Sequence, residues 1–124
     1  MPRVVADTNI YISALNFAGT ADEVLALGRA RVIEIFISPA ILEEIEGVLV
    51  RKFRWAAPRA REARRAIRNF AVLVHPEESV NVECALAARA EVIVTGDQHL
   101  LKLKRFRGVS ITSPRDFLEA ETRR

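Results

Sequence analysis

The stretch that decides the fold is RVVADTN, residues 3–9. Its apolar run stops at Asp7, and small polar residues follow. A second stretch of the same form, VIVTGD, occupies residues 92–97 and stops at Asp97. In an open parallel sheet, ligands bind outside the carboxyl ends of the strands, so two such carboxylates can converge there. The two stretches therefore predict a cation site, although each aspartate could instead simply cap the helix that follows it.

Strands alternate with helices along the rest of the chain. We predict five strands at residues 3–6, 32–37, 70–74, 91–95 and 109–111, and helices at 9–16, 20–29, 39–49, 58–69, 83–89, 98–103 and from 114. The TADE sequence that begins at Thr20 is a capping-box pattern, and Ser38 followed by Pro39 is typical of a helix start. This alternation predicts a three-layer α/β/α fold with a central, mostly parallel five-stranded sheet.

The composition is that of a packed globular protein. Half of the 124 residues are hydrophobic, with five glycines and five prolines, so we expect a single domain over residues 1–124. The sequence shows neither a signal-peptide pattern nor the ~20 apolar residues of a membrane span, which predicts a cytoplasmic protein with no membrane partner. The one cysteine, Cys84, excludes a disulfide framework and is expected to be a buried thiol.

Positive charge is concentrated in one segment. Residues 51–68 contain eight basic residues and one acid, and the rest of the chain therefore has a net charge of −4 within a total of +3. Such a segment could contact a polyanion, because arginines attract phosphates regardless of sequence, or could be a solvated helix face. Phe53 and Trp55, interleaved with these charges, could stack on bases or form a protein interface, and we favour the interface.

A third carboxylate is expected from the helix that begins after Ser38. The apolar stripe of this helix centres near Ile45, and Glu44 and Glu46 lie about 100° from that centre on opposite flanks. Periodicity does not decide between the two glutamates.

Four blocks together resemble the PIN domain, and most of all the VapC-like toxins of prokaryotic toxin–antitoxin pairs. The blocks are VADTNIYISAL from residue 5, ISPAILEEI from 37, AEVIVTGDQHLL from 90 and SPRDFL from 113. The resemblance implies a PIN-like fold and a ribonuclease whose acids bind Mg²⁺ or Mn²⁺. It also implies an antitoxin partner and a homodimer.

Residue by residue, the resemblance assigns the acids Asp7, Glu44 and Asp97, with Thr8, Asn9 and Thr95 as supporting polar residues. The family's remaining acid, nineteen residues before the last, falls on Glu78, where this chain departs from the usual aspartate-containing segment. Either Glu78 replaces that acid or the segment is shortened and the acid is absent.

Two functions follow from this sequence. The first is a metal-dependent endoribonuclease that uses Asp7, Glu44, Asp97 and Glu78 to cleave RNA. The alternative is a catalytically inactive PIN-fold module that binds RNA or a protein and has lost the third acid.

Overall fold

The structure is a computed structural model that describes residues 1–75 and 81–123. The strands are β1 (Arg3–Ala6), β2 (Glu34–Ile37), β3 (Ala71–Leu73), β4 (Val92–Val94), β5 (Arg105–Phe106) and β6 (Val109–Thr112). The helices are α1 (Thr8–Asn16), α2 (Thr20–Arg29), α3 (Pro39–Arg51), α4 (Ala57–Phe70), α5 (Asn81–Ala88), α6 (Gln98–Leu103) and α7 (Pro114–Thr122). The α/β fold with a mostly parallel sheet is confirmed.

The sheet has the strand order β3-β2-β1-β4-β6-β5. All pairs are parallel except β5 with β6. Since β1 lies between β2 and β4, with Ala6 opposite Val94, the residues that follow β1 and β4 come together at one edge of the sheet. We call this edge, where β1, β2 and β4 end, the carboxyl rim.

The sheet has six strands in the described part of the chain, one more than the five predicted. The additional strand, β5, contains two residues and pairs antiparallel with β6. A two-residue turn at Arg107 and Gly108 connects them, and both residues have positive φ, 49° and 82°. Such turns match the twist of a hairpin, whereas a two-residue strand is too short to produce a periodic sequence pattern.

Burial explains why the central strands are almost continuously apolar. Val4, Val5 and Ala6 of β1 are completely buried, as expected for a parallel strand with both faces covered. On α4 the buried positions are Ala60, Ala63 and Ile67, whose spacing of three and four residues places them on one face of the helix. The arginines of α4 therefore lie on its outer side.

The N-terminal cap of α3 is the one that the sequence predicts, whereas the cap of α2 differs from the prediction. The Ser38 hydroxyl accepts a hydrogen bond of 3.2 Å from the Ile41 N–H, so Ser38 caps α3 as predicted. The predicted capping box at Thr20 is wrong, because α2 begins at Thr20 itself and Gly19 occupies the N-cap without a side-chain bond. No helix in the described ranges is long and apolar enough to cross a membrane.

Candidate active site

The candidate site lies at the carboxyl rim, around Asp7 and Asp97. Asp7 follows β1 and caps α1, while Asp97 follows β4 after a two-residue connection and caps α6. The backbone N–H of Asp7 also donates to the carbonyl of Val94. The adjacency of β1 and β4 therefore brings together two aspartates that are 90 residues apart in sequence.

Asp7 is a buried carboxylate held by hydrogen bonds from both sides. One oxygen, Oδ1, accepts from the Ile10 N–H at 3.1 Å, which is the helix cap. The other, Oδ2, accepts a short hydrogen bond from the Thr95 hydroxyl. Only 4% of the Asp7 surface is exposed. Both oxygens thus have a fixed direction, and the carboxylate is ordered before any ligand arrives.

The pKa of Asp7 is raised above its ordinary value. Burial is the main cause, and the nearby charge of Asp97 raises it further. The hydrogen bonds from Thr95, Ile10 and Asn9 act in the opposite direction, because they stabilise the ionised form. A strand-end carboxyl with a raised pKa beside a second carboxyl is typical of a functional site.

Asp97 is exposed and uses one carboxylate oxygen as a cap. Its Oδ1 accepts from the N–H groups of His99 at 2.7 Å and Leu100 at 3.3 Å. Among the described residues, Oδ2 of Asp97 accepts no hydrogen bond, so this oxygen is open to a ligand. Helix capping and ligand binding are therefore compatible at Asp97, since each uses a different oxygen.

Thr95 connects the two aspartates. Its hydroxyl donates to Asp7 and accepts from the backbone N–H of Asp97 at 3.0 Å. Thr95 is completely buried, Thr8 is 8% exposed and Asn9 lies on the surface. Of the three predicted supporting residues, Thr95 therefore has a visible structural role at both acids, and Asn9 contributes a backbone N–H to Asp7.

Helical periodicity does not decide whether Glu44 or Glu46 supplies the third carboxylate, and the surroundings of the two side chains differ. Glu46 forms an ion pair with Arg64 of α4, at 3.4 Å between Oε1 and Nη1. Glu44 is exposed on α3, about 200° around the helix from Glu46. Glu46 is therefore engaged with α4, and the assignment of Glu44 as the third acid of the site stays a prediction.

The structure does not assemble a complete cluster in the residues it describes. Among the side chains that the structure describes, which do not include those of residues 76–83, no group of three or more His, Cys, Asp or Glu is placed to hold a metal ion. The predicted fourth acid, Glu78, lies outside the described residues. The observed centre therefore consists of Asp7, Asp97 and Thr95.

One buried group beside Asp7 was not predicted from the sequence. Tyr11 lies one turn after Asp7 on α1 and is completely buried, and its hydroxyl has no hydrogen-bond partner in the described part of the chain. Burial is the main cause that raises the pKa of Tyr11 far above its ordinary value, and electrostatic interactions with Cys84 and Asp7, which disfavour the phenolate once those groups are ionised, raise it further. Cys84 is buried as predicted, and burial raises its pKa to about 11. Both groups therefore stay neutral at physiological pH.

Trp55 connects the loop between α3 and α4 to the end of α1. Its indole Nε1 donates to Oδ1 of Asn16 at 3.3 Å, and the Arg59 guanidinium lies 3.7 Å from the centre of its ring. Phe53 is 37% exposed. Trp55 thus has intramolecular partners, whereas the protein interface predicted for Phe53 and Trp55 stays a prediction.

The fold and the rim acids define the class of the protein. The PIN domain family model matches residues 3–99, so the chain belongs to the PIN domain family. A solved structure described as VapBC2 from Rickettsia felis bound to a DNA fragment from its promoter contains a chain with the same fold. The TM-score is 0.61 and the identity 15%, over 88% of this chain and 96% of that one. No curated protein matches the sequence.

Proposed function

We propose that the protein is a metal-dependent endoribonuclease of the VapC-like toxin type. The observation that supports this proposal is Asp7, a buried strand-end carboxyl whose pKa is raised by burial and by its neighbour Asp97. Two carboxylates at such a position repel each other, and a divalent cation would relieve both the repulsion and the burial of charge.

The oxygen atoms at the rim fit Mg²⁺ or Mn²⁺. Such cations prefer oxygen ligands and commonly take one or two protein carboxylates together with phosphate oxygens of the substrate. We assign Asp7 and Asp97 as the central ligands, with Glu44 from α3 as the third and Glu78 as a fourth. The cation would supply Lewis-acid chemistry, which lowers the pKa of a bound water and neutralises charge that develops at the phosphodiester.

The protein's own residues at the rim have different roles in this proposal. Thr95 and the start of α1 fix the direction of the Asp7 carboxylate, and the start of α6 fixes Asp97 through one oxygen. The open oxygen of Asp97 and the exposed Glu44 face solvent, where a phosphodiester of an RNA strand could enter. Cleavage would then be hydrolysis, in which water attacks phosphorus in line with the departing ribose oxygen.

The proposal is tested by RNA cleavage. We expect the purified protein to cut RNA with Mg²⁺ or Mn²⁺ and to stop in EDTA. Asp7→Asn, Asp97→Asn and Glu44→Gln should each lower the rate by ~100-fold or more, since loss of a residue that only supports a metal ligand already lowers activity ~10–100-fold. Glu43→Gln, at the exposed neighbouring position of α3, is the matched control. Cleavage that EDTA does not affect, or that survives Asp7→Asn, would contradict the proposal.

A second candidate is a PIN-fold module that binds RNA or a protein without cutting it. It is favoured by the lack of a three-acid group among the side chains that the structure describes. Calorimetric titration with Mn²⁺ separates the two candidates. Binding that Asp97→Asn abolishes supports the nuclease, and no heat of binding at millimolar Mn²⁺ supports the module.

An antitoxin partner and a homodimer, both in the cytoplasm, belong to the same proposal. The antitoxin is supported by the fold shared with a chain of a VapBC2 structure, and the homodimer and the cytoplasmic location rest on the sequence resemblance alone. A short neighbouring reading frame for a DNA-binding protein, whose product copurifies with this chain, would support the antitoxin. Sedimentation of the isolated chain as a monomer at micromolar concentration would contradict the homodimer.

A further inference from the structure

A cleft between α3 and α4 is lined entirely by charged side chains. It has a volume of about 360 Å³, and its lining consists of Glu46, Arg61, Arg64, Arg65 and Arg68. The four arginines lie on the outer face of α4, opposite the buried stripe of Ala60, Ala63 and Ile67. The cleft therefore combines a positive charge of four with one negative charge.

Internal ion pairs neutralise only a small part of this charge. Arg64 pairs with Glu46 at 3.4 Å. Among the described residues, Arg61, Arg65 and Arg68 form no ion pair, and all three are exposed. Like charges three and four residues apart on one helix destabilise it, so an anion in the cleft would remove a repulsion that the free protein retains.

The spacing of the three free arginines suits a chain of phosphates. Arg61 and Arg68 are seven residues apart, which corresponds to about 10.5 Å along the helix axis, with Arg65 between them. Guanidinium groups present flat, paired donors to phosphate oxygens. A row of three such groups can therefore contact successive phosphates of one strand.

The lining also distinguishes between classes of partner. Protein interfaces commonly contain an apolar or aromatic centre, whereas nucleic-acid interfaces are more polar and more positive. Among the described residues, no apolar side chain lines the cleft. A phosphate backbone fits this surface better than a folded or helical protein segment does.

We infer that the cleft formed by Arg61, Arg65 and Arg68 around the Arg64–Glu46 pair binds the phosphate backbone of single-stranded RNA. The inference rests on the proposed nuclease function and adds a substrate-binding surface outside the acidic rim. The lining of the cleft belongs to α3 and α4, whereas Asp7 and Asp97 cap α1 and α6, so the cleft and the rim acids belong to different elements of the fold. A substrate that contacts both surfaces is therefore longer than the nucleotides at the scissile bond.

The test is RNA binding in EDTA, where cleavage is absent. We expect R61Q/R65Q/R68Q to weaken binding of a fluorescent RNA of about 12 nucleotides by at least ~10-fold at low salt. The plot of log affinity against log salt has a negative slope, and this slope should become less steep by about 2 in the triple variant. Each of three lost phosphate contacts on a single strand contributes about 0.7 to its steepness. R31Q/R89Q/R123Q removes the same charge from exposed positions elsewhere and should change both quantities little.

The outcomes separate this inference from the proposed function. Equal weakening by the two triple variants, or none by R61Q/R65Q/R68Q, would overturn it. Loss of polyglutamate binding with unchanged RNA binding would overturn it in favour of an acidic protein segment. RNA binding that depends on these arginines, in a protein that never cuts RNA with Mn²⁺, would support the inference while the nuclease proposal fails. In an active enzyme, R61Q/R65Q/R68Q should raise KM for long RNA and leave kcat nearly unchanged.

Discussion

The hydroxyl of Thr95 donates to Oδ2 of Asp7 across the boundary between β4 and β1, although the two residues are 88 positions apart in sequence. The same hydroxyl accepts from the N–H of Asp97. One buried oxygen thus orients the first acid of the rim and the backbone of the last. The geometry of the candidate site therefore depends on Thr95 in addition to the carboxylates.

Replacing Thr95 with valine should destabilise the protein at neutral pH. The substitution keeps the shape and removes a hydrogen bond to a buried charged group, a loss of about 1.5–3 kcal/mol. This bond lowers the pKa of Asp7, so its contribution requires ionised Asp7 and disappears as the pH falls below the Asp7 pKa. Urea unfolding at neutral and acidic pH measures the effect. Thr95→Ser, which retains the hydroxyl, is the control, and an equal loss at both pH values would contradict the explanation.

Asp7→Asn should make the metal-free protein more stable at neutral pH. The pKa of Asp7 is raised in the folded state, so Asp7 favours folding most when protonated, below the unfolded value of about 3.9. That contribution is lost as the pH rises through the folded pKa. Asparagine keeps the cap at Ile10 without a charge. Thermal unfolding in EDTA should show a higher midpoint temperature for Asp7→Asn than for the wild type. The difference between the two midpoints should disappear at acidic pH.

The matched variant for this experiment is Asp97→Asn. Asp97 is exposed, so neutralising it should change the midpoint less than Asp7→Asn does. A lower midpoint for Asp7→Asn at neutral pH would show that the ionised carboxylate stabilises the fold, contrary to its burial.

A divalent cation should reverse the order of stability. If the rim binds Mn²⁺, a concentration one hundred times Kd stabilises the wild-type protein by about 2.7 kcal/mol, and Asp7→Asn should lose most of this gain. The measurement is the shift of the unfolding midpoint with Mn²⁺ for both proteins. If Mn²⁺ raised the unfolding midpoint of both proteins by the same amount, the cation would not bind at Asp7.

Much of the fold follows from local sequence patterns. The buried face of α4 follows from the helical spacing of Ala60, Ala63 and Ile67, and the start of α3 follows from Ser38 and Pro39. The meeting of Asp7 and Asp97 follows from parallel topology, because neighbouring parallel strands end at one edge. These features depend on periodicity, capping chemistry and chain direction, which a sequence displays directly.

Other features depend on contacts that a sequence does not display. The partner of Glu46 is Arg64, 18 residues away, and only the packing of α3 on α4 shows that Glu46 forms this ion pair. The lack of a hydrogen-bond partner for the Tyr11 hydroxyl among the described residues is likewise a consequence of tertiary packing. The strand β5 depends on the turn at Gly108 rather than on its own two residues.

Tyr11→Phe should leave the free energy of unfolding unchanged or raise it by up to about 1 kcal/mol. The hydroxyl is completely buried and makes no hydrogen bond to the described residues. Folding therefore removes it from water without providing a hydrogen bond in return. Tyr11→Ala, which also removes the ring, should cost about 3–5 kcal/mol. Chemical unfolding measures both. A loss of more than about 1 kcal/mol in Tyr11→Phe would show that the hydroxyl makes a favourable contact in the folded protein.

Gly28→Ala should destabilise the protein through contact with β2. A Cβ at Gly28, on the buried face of α2, would overlap Cδ1 of Ile35 and lie 3.0 Å from its Cγ1. Overpacking of this kind costs about 1–3 kcal/mol, which exceeds the gain of about 1 kcal/mol from alanine in a helix. Ile35→Val removes Cδ1, so Gly28→Ala should cost at least ~1 kcal/mol less in that background. Urea unfolding of the wild type, the two single variants and the double variant gives the double-mutant cycle. Additive changes in the free energy of unfolding would show that Ile35 does not cause the steric overlap.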